Sequence, residues 1–142
     1  MKRLVPQSKA AFTLLEIMLV VMIIALLAGS AIYLMRGNVD QAKYVRVESD
    51  VQAIQTQLQF YETQNGTMPS TEQGLRALVE KPGGDPQPRK WRQLMPEIPK
   101  DPWGTEYQLR NPGTKSKDGY DVFSCGKDKK PNTGDDIGNW TD

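Results

Sequence analysis

The chain of 142 residues carries 18 lysines and arginines against 17 acids, no histidine and a single cysteine, room for one modest domain plus a short appended segment. The absence of histidine removes the usual general base and the commonest zinc ligand, and the lone Cys125 excludes an intramolecular disulfide. Charge is nearly balanced and no basic stripe forms, because Asp128 interrupts Lys127, Lys129 and Lys130, so nothing points to nucleic acid.

The first residues, MKRLVPQSKA, hold Lys2, Arg3 and Lys9 and no acid. Residues 11–35 then read AFTLLEIMLVVMIIALLAGSAIYLM, uncharged from Ile17 onward. About 19 residues of helix at about 1.5 Å each span the hydrocarbon of a bilayer. This segment is expected to enter a membrane, with the basic end cytoplasmic and the rest of the chain on the far side. Glu16 is the exception within it. An ionised carboxylate costs roughly 2.5–3.5 kcal/mol at mid-bilayer and less near the interface. Two readings stand: Glu16 lies at the membrane edge and complements a helix N-terminus, or the chain is cut before Phe12. A cut there bares an α-ammonium one turn before Glu16, and the same pair of charges on neighbouring copies would fix the register of helix assembly.

Beyond Met35 the sequence turns polar without a strong helix breaker. Val47, Val51, Ile54, Leu58 and Tyr61 form one apolar stripe, while Glu48, Asp50, Gln52, Gln57 and Gln59 occupy the other faces. The predicted helix runs over residues 12–64, roughly 75–80 Å at the usual rise, embedded in its first half and packed on a domain in its second. Asn65 and Gly66 supply the stop, and Pro69 follows. Ser70 with Gln73 has capping-box spacing ahead of Leu75, Leu78 and Val79, a short amphipathic turn or two that Pro82 ends. GGDPQPRK reads as an exposed loop.

Pro96, Pro99 and Pro102 bar a helix from the next stretch. Its Trp91, Leu94, Ile98, Trp103, Tyr107 and Leu109 can cover the long helix's stripe. Residues 105–109 are expected as a first strand, residues 111–118 as the turn, and Tyr120, Val122 and Phe123 as a second strand with alternating faces. In the tail, SCGKDKKPNTGDDIGNW brings Asp128, Asp135 and Asp136 into a turn-rich segment. Carboxylates held together need a cation between them, and calcium takes oxygen ligands at about 2.3–2.6 Å. The spacing is not that of an EF-hand. Asp, Asn, Gly and Lys are also ordinary residues of solvated turns, so composition alone leaves metal binding open.

A basic leader, then FTLLE, then an uncharged run resembles the N-terminal signal of type IV pilins and of type II secretion pseudopilins. That resemblance implies cleavage between Ala11, where the family usually has glycine, and Phe12 by a prepilin peptidase, N-methylation of Phe12, and Glu16 as the glutamate that sets assembly register. The blocks NGTMPSTEQGLRALVEKP, KDPWGTEY, YDVFSCGKD and DDIGNW narrow the likeness to the major pseudopilins of type II secretion, over most of the chain. Those pseudopilins bind calcium in the C-terminal loop. The implied ligands are the side chains of Asp128, Asp135 and Asp136, with backbone carbonyls from Cys125 and from Lys130 or Thr133.

The expected protein is therefore α+β: a long pilin-type helix, membrane-embedded in its first half, packed on a small antiparallel sheet of two to three strands with a calcium-bound C-terminal loop. Residues 1–11 would be the leader, 12–36 the transmembrane and filament-core helix, and 37–142 a periplasmic globular domain. The implied role is structural, not enzymatic: a single-pass inner-membrane subunit, N-terminus cytoplasmic, that polymerises into the periplasmic pseudopilus driving export of folded proteins across the outer membrane. Its implied partners are its own copies in a helical filament, minor pseudopilins, the inner-membrane assembly platform and the prepilin peptidase. The alternatives are a soluble periplasmic calcium-binding module with a cleaved signal peptide, which Glu16 within the apolar run disfavours, and a major type IV pilin, which the missing disulfide pair disfavours.

Overall fold

The computed structural model describes residues 13–140, except the side chains of residues 31–38, so Ala11 and Phe12 lie outside the described residues. The chain forms two units, residues 1–40 and 41–142. One helix, α1 (Leu14–Asn65, 52 residues), begins in the first and ends in the second.

In the first unit Thr13 acts as the helix cap. Its hydroxyl accepts the Glu16 N–H at 3.3 Å, and its carbonyl accepts the N–H groups of Glu16 and Ile17. Glu16 is exposed in the first turn, where a negative charge suits the positive end of the helix. From Leu14 to Leu27 every large apolar side chain is exposed, Leu14 at 81% and even the least exposed, Val20, at 46%. Among the described residues no helix is long and apolar enough to cross a membrane. The described apolar side chains stop at Ser30, short of the roughly 20 residues a span takes, whereas the sequence stays uncharged through Met35.

In the second unit the stripe of α1 is the centre of the core. Val47, Val51, Ile54, Leu58 and Tyr61 are all buried, joined by Leu75, Ala77, Leu78, Tyr107, Leu109, Tyr120, Val122 and Ile137. Trp91, Leu94, Met95, Ile98 and Trp103 pack partly buried against them. The helix ends as its residues dictate, with one refinement. Only Gly66 takes the left-handed conformation (φ 79°); Asn65 stays helical and buried, and its side chain donates to the Tyr61 carbonyl while accepting the Lys90 N–H.

The capping box of Ser70 and Gln73 forms reciprocally, each backbone N–H meeting the other's side-chain oxygen at 3.1 and 3.3 Å. It opens turns rather than an α-helix, because Gly74 sits at φ 57°, outside helical space, and the chain continues instead into the 3₁₀ turn Leu75–Leu78. The Trp91 indole N–H and the backbone N–H groups of Leu94 and Met95 clamp the proline-rich stretch onto that turn through the carbonyls of Ala77 and Leu78.

Three strands complete the unit: β1 (Gln108–Arg110), β2 (Asp121–Ser124) and β3 (Ile137–Gly138). The sheet is antiparallel in the order β1-β2-β3, with Leu109 opposite Val122 and Ser124 opposite Ile137. Two strand expectations need correction. The first strand begins later than residue 105, with Lys100 and Glu106 joined only by an isolated bridge. β2 does not alternate: all four of its residues are buried, Asp121 and Ser124 included. A central strand of so small a sheet is covered on both faces, so its polar side chains must find partners inside.

Candidate functional site

Two buried carboxylates build the frame that carries the C-terminal loop. Asp101, in KDPWG, accepts the N–H groups of Trp103 at 3.0 Å and Thr105 at 2.8 Å, an arrangement that Pro102 and Gly104 favour, and also the Ser124 hydroxyl. The same Ser124 oxygen accepts the Gly126 N–H at 3.0 Å, so the KDPWG turn is wired to the start of the loop. Asp121 is fully buried and gathers the N–H groups of Thr114, Lys115 and Ser116 at 2.8, 3.2 and 2.8 Å, with the Arg110 guanidinium at 3.3 Å. Burial pushes its carboxyl up, but these backbone donors outweigh that and hold its pKa below the ordinary carboxylate value. The frame closes at Asn139, whose side chain accepts from the Val122 N–H and donates to Ser116 and Tyr120.

The loop itself starts from Cys125 and returns at β3. Gly126 is left-handed (φ 67°), and a Cβ there would overlap the Asp135 carbonyl, so two strands of loop cross where only glycine fits. Lys129 and Asn132 also take positive φ, giving a tight, turn-rich path. Among the described residues no three His, Cys, Asp or Glu side chains gather closely enough to hold a metal ion. The expected side-chain cluster of Asp128, Asp135 and Asp136 is therefore not formed as a set, since Asp128 and Asp136 are drawn to separate donors instead. Asp128 accepts the Lys130 N–H at 2.9 Å and is exposed, as is Asp135. Lys130 offers its carbonyl to the Thr133 hydroxyl at 3.3 Å.

Asp136 differs from the other two. Its side chain is 1% exposed; one oxygen, Oδ2, accepts the Asn132 N–H at 2.9 Å and the Lys115 ammonium at 3.2 Å, while the other, Oδ1, is buried with no hydrogen-bond partner. A buried carboxylate oxygen left unsatisfied is costly and fits a cation ligand. The buried Cys125 thiol is a soft donor and a poor match for a hard cation, so only its carbonyl suits the expected role. Burial first, then the charges of Asp136, Asp101 and Asp128, push the thiol pKa up, so negative potential converges at this point of the chain. Asp101, Asp121, Lys115 and Asn139 are site residues that sequence reasoning did not single out. An Asp-Pro-x-Gly turn signature at Asp101 was the one available signal.

At the other end of the chain, Glu16 sits where the apolar face begins, and Phe12 lies outside the described residues. A capped N-terminal helix with an uncovered apolar face and a second half packed on a small antiparallel sheet define a pilin-like fold. A family model described as "Type II secretion system (T2SS), protein G" matches residues 34–140, and one for the prokaryotic N-terminal methylation motif matches residues 6–32. The chain belongs to the type II secretion system protein G family, whose members are structural pseudopilins and not enzymes. It is 47% identical over 136 residues to the type II secretion system core protein G of Dickeya chrysanthemi, covering 94% of this chain and 88% of that one. Its identity to core protein G of Pseudomonas aeruginosa is 42% over 139 residues, covering 94% and 96%. Among solved structures, the major pseudopilin from the type 2 secretion system of enterohaemorrhagic Escherichia coli is 51% identical and superposes with a TM-score of 0.69 over 73% of this chain and 87% of that one.

Proposed function

We propose that this chain is the pseudopilus-building subunit of a type II secretion system, stored as a single-pass inner-membrane protein with a cytoplasmic N-terminus and a periplasmic globular domain. It is cut between Ala11 and Phe12 by a prepilin peptidase, methylated on the new Phe12 amine, and polymerised on the inner-membrane assembly platform. Growth of that filament, together with minor pseudopilins, helps move folded proteins through the outer membrane. The observation that supports this reading is the run of exposed apolar side chains from Leu14 to Leu27 with Glu16 near its head. Large contiguous apolar surface calls for lipid or for neighbouring helices, and a carboxylate in that surface calls for a cation, which the freed amine of a sister subunit supplies. Glu16→Ala is expected to stay in the membrane and be cut, yet to yield no fibres by electron microscopy when expressed with the secretion machinery. Fibres as abundant as those of the unaltered chain would overturn the reading. N-terminal sequencing that finds a start near Ile32 instead of methylated Phe12 would favour an ordinary secreted module.

Calcium in the C-terminal loop belongs to the same proposal. The Asp136 Oδ1 atom supports it most directly, with Asp128 and Asp135 as further carboxylates and the carbonyls of Cys125 and of Lys130 or Thr133 as backbone donors. Bound there, calcium would tie the tail to β2 and β3 in a domain that has no disulfide. An ion at a hundred times its dissociation constant stabilises the folded form by about 2.7 kcal/mol. The melting temperature is thus expected to be several degrees higher in calcium than in chelator; identical values in the two would remove the metal.

A further inference from the structure

We propose that Lys115 is the positioning residue of the C-terminal loop and an internal competitor of its cation. This inference rests on the calcium reading. Lys115 stands in the turn between β1 and β2, and its backbone is pinned there by the N–H it donates to the buried Asp121 carboxylate. From that anchor its side chain lies over the Trp140 ring, the ammonium 4.5 Å from the ring centroid, and reaches Asp136 Oδ2 at 3.2 Å. Trp140 is itself held against Phe123 of β2, ring centroids 5.6 Å apart. The contact therefore joins two segments far apart in sequence, on rigid supports at both ends.

The ammonium does two things to Asp136. It fixes the carboxylate by one oxygen, together with the Asn132 N–H, and leaves Oδ1 free of hydrogen bonds. It also places a full positive charge beside the one carboxylate of the loop that is nine-tenths buried or more, where screening by water is weak. A divalent cation taking Oδ1 meets that charge at close range. Lys115 thus keeps the loop folded when the cation is absent and lowers affinity for the cation when it is present. The loop becomes an exchanging site, with a shape that outlasts cation loss.

The two effects have opposite signs on one substitution, which separates this role from a merely structural one. Lys115→Met keeps a long apolar stem over Trp140 and removes the charge. Calcium titrated calorimetrically into the decalcified full chain in detergent is expected to bind Lys115→Met about tenfold more tightly than the unaltered chain, while in chelator the variant melts at a lower temperature. Lys115→Arg, which keeps the charge, is expected to restore the weaker affinity. Equal affinities in all three chains, or an affinity that falls together with the melting temperature in Lys115→Met, would overturn the role of Lys115 and leave the calcium site standing. No binding heat and no calcium-dependent melting in any of the three would remove the calcium site and this role with it.

Discussion

Asp121→Ala is expected to be among the most destabilising single substitutions in the second unit, at about 3–5 kcal/mol. The carboxylate is fully buried, and its removal leaves the N–H groups of Thr114, Lys115 and Ser116 without their acceptor and the partly buried Arg110 without its counter-charge. The turn that carries Lys115 would loosen, and the loop anchored through Asn139 with it. Acid should reproduce the effect by degrees. Because the folded pKa of Asp121 lies below its ordinary value of 3.8, its contribution is full above that value and is lost as the pH falls through the folded pKa. Asp121→Asn lacks this ionisation, so the stability difference between the two proteins should be constant from neutral pH to about pH 5 and shrink below about pH 4. Thermal unfolding of both across that range is the check. A difference that stays constant into strong acid would show that Asp121 does not act through its charge.

Leu58→Ala should cost about 2–5 kcal/mol, the range for deleting a fully buried leucine from a packed core. Leu58 is 0% exposed and sits between Ile54 and Tyr61 on the stripe that everything in the second unit packs against. Few elements stand ready to collapse into the void, because the sheet opposite has three strands of two to four residues. A melting temperature lower by roughly 10 °C or more is expected for a unit of this size. Phe60, two positions along the same helix and 52% exposed, is the control. Phe60→Ala should stay within about 0.5 kcal/mol of the unaltered chain, and equal losses at both positions would contradict the assignment of the core face.

These two residues also mark where sequence reasoning succeeds and where it stops. Leu58 was legible because helical periodicity repeats over the whole stripe and survives any detail of what covers it. The Asn-Gly stop was legible for a similar local reason. Asp121 was not, since an acid beside a strand reads as a solvated end. Its burial depends on three backbone N–H groups and an arginine brought together by a turn and a strand pairing. β2 failed the alternation rule because the unit covers both faces of its central strand. The capping box formed and yet started no α-helix, because Gly74 took a backbone angle that pattern alone does not reveal. In the acidic loop, composition showed the charges but not that Asp128 and Asp136 would turn to separate local donors, nor that the ammonium meeting Asp136 would come from another turn altogether.

The buried thiol of Cys125 has one more consequence. Thiol–disulfide chemistry needs the thiolate, and a sulfur shielded by the fold and ringed by negative charge rarely carries one. Subunits crowded side by side, even among oxidants, should remain covalently separate, running as single chains on a non-reducing gel. A fibre made of them can then be taken apart by the same weak forces that built it.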